Sequence, residues 1–166
     1  MKETHPAAFF QSGLLSPRAH AALARSTAAA AQYGLTFTPA QLDMLADAEA
    51  RALRQAGRIE FGEGILPRLL YTFCDSPFLD AANAADTLAD LQMLFYSFQN
   101  ETGDVLSDDA LLCAMRAVYD GAGGSLSYLE GVEPERLVRI AMRGEDAGPG
   151  AAQPQMPTDM DEEEDF

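Results

Sequence analysis

The residues best able to do chemistry cluster in one block, 57–77, GRIEFGEGILPRLLYTFCDSP. It holds the carboxylates Glu60, Glu63 and Asp75, the arginines Arg58 and Arg68, and Cys74, interrupted by three glycines and two prolines. A carboxylate becomes an acid or base for catalysis once burial or a neighbouring charge moves its pKa. A cysteine becomes a nucleophile only beside a base and an anion-stabilising group. The histidines, His5 and His20, both lie toward the N-terminus, so Cys74 has no base near it in sequence. Cys74 and Cys113 read instead as small apolar side chains on helices, too isolated for zinc and too few for a disulfide framework.

Other signatures start in this block and fail. Gly57 and Gly62 have the spacing of a phosphate-binding loop, but Glu63 and Gly64 stand where Lys and Ser or Thr are required, and a carboxylate there repels phosphate. Gly62 and Gly64 open a dinucleotide pattern whose third glycine position is Pro67, with no alternation of strand and helix around it. Glu60 and Glu63 lack the histidine or second acidic pair that would make them a metal site. The stretch 120–130 lacks carboxylates at the third and fifth positions of a calcium loop and glycine at the sixth. No catalytic residue, metal ligand or cofactor is assigned.

Arg58, Glu60, Glu63, Arg68, Cys74 and Asp75 therefore remain as binding or loop-organising residues. In the organising reading, Glu60 or Asp75 pairs with an arginine and accepts from backbone N–H groups. In the binding reading, an irregular loop on a rigid scaffold holds a small molecule or peptide. Extended backbone over 58–61 would put Ile59 and Phe61 on one face, docking the loop, and Arg58 and Glu60 on the other.

The segments flanking the block are helical. Ser16 and Pro17 mark a start, and an Ala-rich helix over 17–33 ends before Gly34. Thr38, Pro39 and Gln41 form a capping-box pattern opening a helix with Leu42, Leu45, Ala46, Ala52, Leu53 and Ala56 on one stripe, charges opposite, and Gly57 as its stop. A short helix over 66–74 tolerates Pro67 in its first turn, and Ser76 and Pro77 break it. The longest helix is expected over 80–102 as the central core element, with Leu88, Leu91, Leu94, Phe95 and Phe98 inward. Met93 belongs to the same core stretch. Ser107 caps a helix over 108–119, Leu106 and Leu111 forming a hydrophobic staple. Ser125 caps a single turn, and Pro134 opens a last helix with Leu137, Val138 and Ala141 inward, ending at Gly144.

The pattern predicts an all-α protein: an N-terminal arm over 1–15, one helical domain over 16–144, and a disordered acidic tail over 145–166. The chain's 166 residues suffice for a substantial core. Its net charge of -15 is uneven, because the last 22 residues hold eight of the 26 acidic side chains and none of the 11 basic ones. The tail lacks the apolar surface that would offset chain entropy. A negative surface opposes nucleic acid and anionic lipid. The apolar run before Gln11 is too short for a signal-peptide core, and no stretch approaches the roughly 20 apolar residues of a membrane span. A soluble, cytoplasmic protein is expected.

The block, with LADLQMLFYSFQNET, LSDDALL and GSLSYL downstream, resembles a bacterial family catalogued only as a domain of unknown function, over about residues 33–142. The resemblance identifies relatives and transfers no site residues. The functional expectation is a non-catalytic module for a protein partner, with the loop 57–75 as recognition surface and the tail as solubiliser or electrostatic lure. The alternative is an enzyme or small-ligand sensor using Glu60, Glu63 or Asp75 in a partly buried pocket.

Overall fold

The structure, a computed structural model, describes residues 17–60 and 62–146. The expected N-terminal arm, the Ser16 cap and the tail from residue 147 onward lie outside the described residues. Within them the chain is all-α, with seven helices and no strand. They are α1 (Pro17–Ala31), α2 (Pro39–Ala56), α3 (Leu66–Phe73), α4 (Ala84–Glu101), α5 (Asp108–Gly121), α6 (Leu126–Glu130) and α7 (Pro134–Arg143). Among the described residues no helix is long and apolar enough to cross a membrane.

Local chemistry sets most of the helix ends. At α2, the Thr38 hydroxyl accepts from the Gln41 N–H at 3.1 Å, while the Gln41 side chain accepts from the Thr38 N–H at 2.8 Å, the reciprocal bonds of a capping box. Gly57 ends that helix in the left-handed conformation, at φ 68°. Ser107 and Ser125 cap α5 and α6 through the N–H groups of Ala110 and Tyr128. Leu106 and Leu111 are both buried, as a staple requires.

One boundary moves. The long helix starts at Ala84 rather than at 80, because Asp80 and Asn83 use their side chains on the backbone. Asp80 accepts from the N–H groups of Ala82 at 2.9 Å and Asn83 at 3.0 Å, and Asn83 accepts from the Asp80 N–H at 2.9 Å. Such local bonds compete with the helical ladder and hold 80–83 as a turn. At the other end of the chain, Glu145 pairs with Arg139 at 2.8 Å, so the first residue assigned to the tail is tied to α7.

Helix α2 packs along α4, α1 along α3, and α5 along α7. The long α4 is joined at the centre by α3, which touches α1, α2, α4 and α5. Leu66, Leu69 and Phe73 of α3 are each 0 % exposed. A helix of eight residues has almost no stability of its own, so this burial holds it together. Phe73 also meets Tyr119 of α5 edge to face, with ring centres 5.7 Å apart. Phe73→Ala is expected to destabilise the fold by about 3–5 kcal/mol, seen as a lower urea midpoint with unchanged slope.

Candidate functional site

Burying α3 creates a polar problem at its N-terminus, where the first N–H groups of a helix have no intrahelical partner. Ile65, its N-cap, carries no side-chain acceptor. Glu49 of α2 supplies one from 16 residues away, its Oε2 accepting from the Ile65 N–H at 2.9 Å and, more weakly, from the Leu66 N–H at 3.4 Å. Pro67 has no N–H to satisfy. Gly64 lets the two elements meet: its φ is +80°, and a Cβ there would stand 2.7 Å from Glu49 Oε2.

The same carboxylate oxygen lies 3.4 Å from the Tyr96 hydroxyl of α4, which donates to Glu60 Oε1 at 2.7 Å. Glu49 and Tyr96 are 5 % and 1 % exposed, whereas Glu60 opens to solvent. Burial raises the Glu49 pKa above the ordinary range, opposed by the Ile65 and Leu66 N–H groups and reinforced by Glu60. Burial, with the charges of Glu49 and Glu60, also pushes the Tyr96 hydroxyl far up, so it stays protonated.

Glu49 escaped the sequence reading, which placed the charges of α2 opposite its apolar stripe. Its position carries a signal: it follows Leu45 by four residues and precedes Ala52 by three, inside that stripe. A carboxylate there must find internal donors.

The six residues singled out in 57–77 do not share one set of partners. Arg58 crosses from the end of α2 to the end of α4, donating to Asn100 Oδ1 at 2.7 Å and Asp104 Oδ1 at 2.8 Å. Glu60 joins Tyr96 and Glu49 as described. Glu63 lies 4.0 Å from Arg25 and Arg68 lies 3.4 Å from Asp109, both pairs largely in solvent. Cys74 and Asp75 sit beyond the other end of α3, a helix about 12 Å long. Cys74 is buried, and burial followed by the charge of Asp75 pushes its thiol up, away from thiolate. Asp75 pairs with Arg116, which also bonds Asp120 and donates to the Thr72 carbonyl at 2.7 Å. Among the described residues no group of three or more His, Cys, Asp or Glu side chains is arranged to hold a metal ion.

The expected docking of 58–61 by Ile59 is overturned. Segment 58–60 has no strand structure, and Ile59 is 78 % exposed, while Phe61 lies outside the described residues. The inward hydrogen bonds of Arg58 and Glu60 turn the intervening side chain out to water. Beside the segment, a shallow groove of about 420 Å³ runs between α2 and α4, lined by Ala52, Gln55, Ala56, Met93, Ser97 and Asn100.

Fold and site together define an all-α domain whose irregular loop is organised by a buried carboxylate and a bridging arginine. The chain belongs to a family of unknown function, DUF6323, whose model matches residues 22–147. No curated protein and no solved structure matches it.

Two outcomes test the site. Gly64→Ala forces a side chain into the left-handed region and against Glu49, and should cost about 1–3 kcal/mol in urea denaturation. For Glu49, native pKa above unfolded pKa means that the native state holds the extra proton between the two values. Its contribution to stability is therefore full below the ordinary value and falls as pH rises through the raised one. The wild type should lose stability relative to Glu49→Gln as the pH is raised from 5 to 8, read as a fall in the difference between their urea midpoints.

Proposed function

We propose that the chain is a non-catalytic helical interaction module, acting in the cytoplasm, whose protein partner contacts the surface around Ile59. One observation carries this reading: an aliphatic side chain 78 % exposed on a backbone fixed from both sides by Arg58 and Glu60. Single exposed apolar residues are ordinary on protein surfaces. This one is pre-positioned, so a partner loses little conformational freedom by packing on it. Val105, 55 % exposed, adjoins the Asp104 partner of Arg58, and Met93, expected in the core but 45 % exposed on the outer side of α4, rises from the groove. Asn100 links the two areas, since it both binds Arg58 and lines the groove.

The alternative, an enzyme or ligand sensor built on Glu60, Glu63 and Asp75, would need those carboxylates around one cavity. Their division among Tyr96, Arg25 and Arg116 favours the interaction reading. The acidic C-terminal stretch would add attraction toward a basic partner, screened over about 8 Å at physiological salt.

A photocrosslinking residue at position 59 tests the proposal in the native cells. One discrete adduct is expected, weakened by up to about fivefold when Arg58→Ala removes a partly exposed anchor worth at most about 1 kcal/mol in a chain shown to be folded. A probe at Tyr71, 49 % exposed on α3, is the control. Equal adducts from both positions, or none from 59, would reject the surface.

A further inference from the structure

A tyrosine hydroxyl has one proton to donate, yet Tyr96 stands between two carboxylates. The short bond, 2.7 Å, goes to Glu60, which leaves the hydroxyl oxygen facing Glu49 Oε2 at 3.4 Å with no proton between them when Glu49 is ionised. A proton taken up from solvent on that oxygen completes a chain in which Glu49 donates to Tyr96 and Tyr96 donates to Glu60. The same proton removes the repulsion between the two carboxylates. We propose that Glu49, Tyr96 and Glu60 form a one-proton latch that holds segment 58–60, and with it Ile59, more firmly at mildly acidic pH than at alkaline pH.

The surroundings of Glu49 leave the latch to these groups. From α4 it faces the Tyr96 hydroxyl, from the connection after α2 it faces Glu60, and from α3 it meets only the Ile65 and Leu66 N–H groups. On its own helix Asp47 and Arg51 point to solvent. Among the described residues no cation stands within pairing distance of Glu49: Arg25 of α1 reaches Glu63, and Arg58 is engaged by Asp104 and Asn100. Its charge is therefore offset only by the Ile65 and Leu66 N–H groups and the distant Tyr96 hydroxyl, and burial raises its pKa. Glu60 is the movable member, because it is exposed and its bond to Tyr96 is the one that segment 58–60 surrenders on release.

The consequence for partner binding rests on the proposed role of Ile59; the latch itself does not. NMR of the full chain between pH 5 and pH 8 reads it directly, through the Glu49 and Glu60 carboxyl carbons, the Ile65 amide proton and the Ile59 δ-methyl. The Ile65 and Ile59 signals should follow the Glu49 titration. The ratio of held to released segment should change about tenfold for each unit by which the Glu49 pKa differs between the two states. Glu49→Gln removes the titrating group and its repulsion of Glu60, so in that variant the Ile59 signal should be the same at every pH. If that variant fails to fold, Glu60→Gln serves instead: it keeps an acceptor for Tyr96 while removing the second charge, and should weaken the pH dependence of the Ile59 signal. Ile59 and Glu60 signals that stay constant through the Glu49 titration of the folded wild type would overturn the latch. Crosslinking at position 59 separates the two readings. A pH-dependent Ile59 signal without any adduct sinks the interaction surface and keeps the latch, whereas equal adducts at both pH values with an unchanging signal do the reverse.

Discussion

The buried acceptor of Glu49 is the constraint on which the arrangement depends. Helix α3 is the element most completely enclosed by its neighbours, and a helix end cannot be enclosed with its N–H groups unpaired, since each orphan costs about 1–3 kcal/mol. Water cannot serve them in the core, and the local sequence, Gly64 to Pro67, has no polar side chain to do so. A carboxylate from α2 does, at the helix end where the macrodipole favours negative charge. Packing of α2 against α3, the turn at Gly64 and the path of the chain before it all follow from placing that one group.

The opposite end of α3 is handled by the opposite charge. Arg116 of α5 donates to the Thr72 carbonyl, one of the acceptors left over where the helix stops, and brings positive charge to the negative end of the dipole. Burial disfavours its charge, but bonds to Asp120 and Asp75 outweigh this and raise its pKa. Ser76 donates to the same Asp120 at 2.7 Å, which pins the turn after α3 to the end of α5. The short central helix is thus gripped by a carboxylate at one end and a guanidinium at the other, each from a different neighbouring helix. Its own eight residues are left almost free to be apolar.

This division explains what was legible in the sequence. The ends of α2, α5, α6 and α7 depend on residues within four positions of one another, such as Thr38 with Gln41 or Ser107 with Ala110, and these patterns can be read along the chain. The start of α4 was misplaced because Asp80 and Asn83 satisfy helical caps and isolated turns equally well. Glu49 was missed because its partners lie 16 and 47 residues away. The outward turn of Ile59 follows from Arg58 reaching Asp104, 46 residues on, which alternation within the segment does not encode. Gly64 was the nearest thing to a written clue, a glycine required by a side chain from another helix.

The chemistry-bearing block wires a buried helix to its neighbours. Four of its charged residues reach three other elements: Arg58 the end of α4, Glu63 α1, and Arg68 and Asp75 the two ends of the contact with α5. A catalytic centre needs such groups to converge on one reacting atom, whereas a scaffold needs them to diverge and tie separate helices together. Glu60 is the exception, since it shares Tyr96 with a buried carboxylate instead of pairing with an arginine. Two like charges on one hydroxyl are a poor choice for a purely structural tie, because a lysine or glutamine at position 60 would relieve the repulsion. The acidic residue makes sense where the hold on segment 58–60 is meant to be adjustable, and there the structural wiring meets the exposed side chain of Ile59.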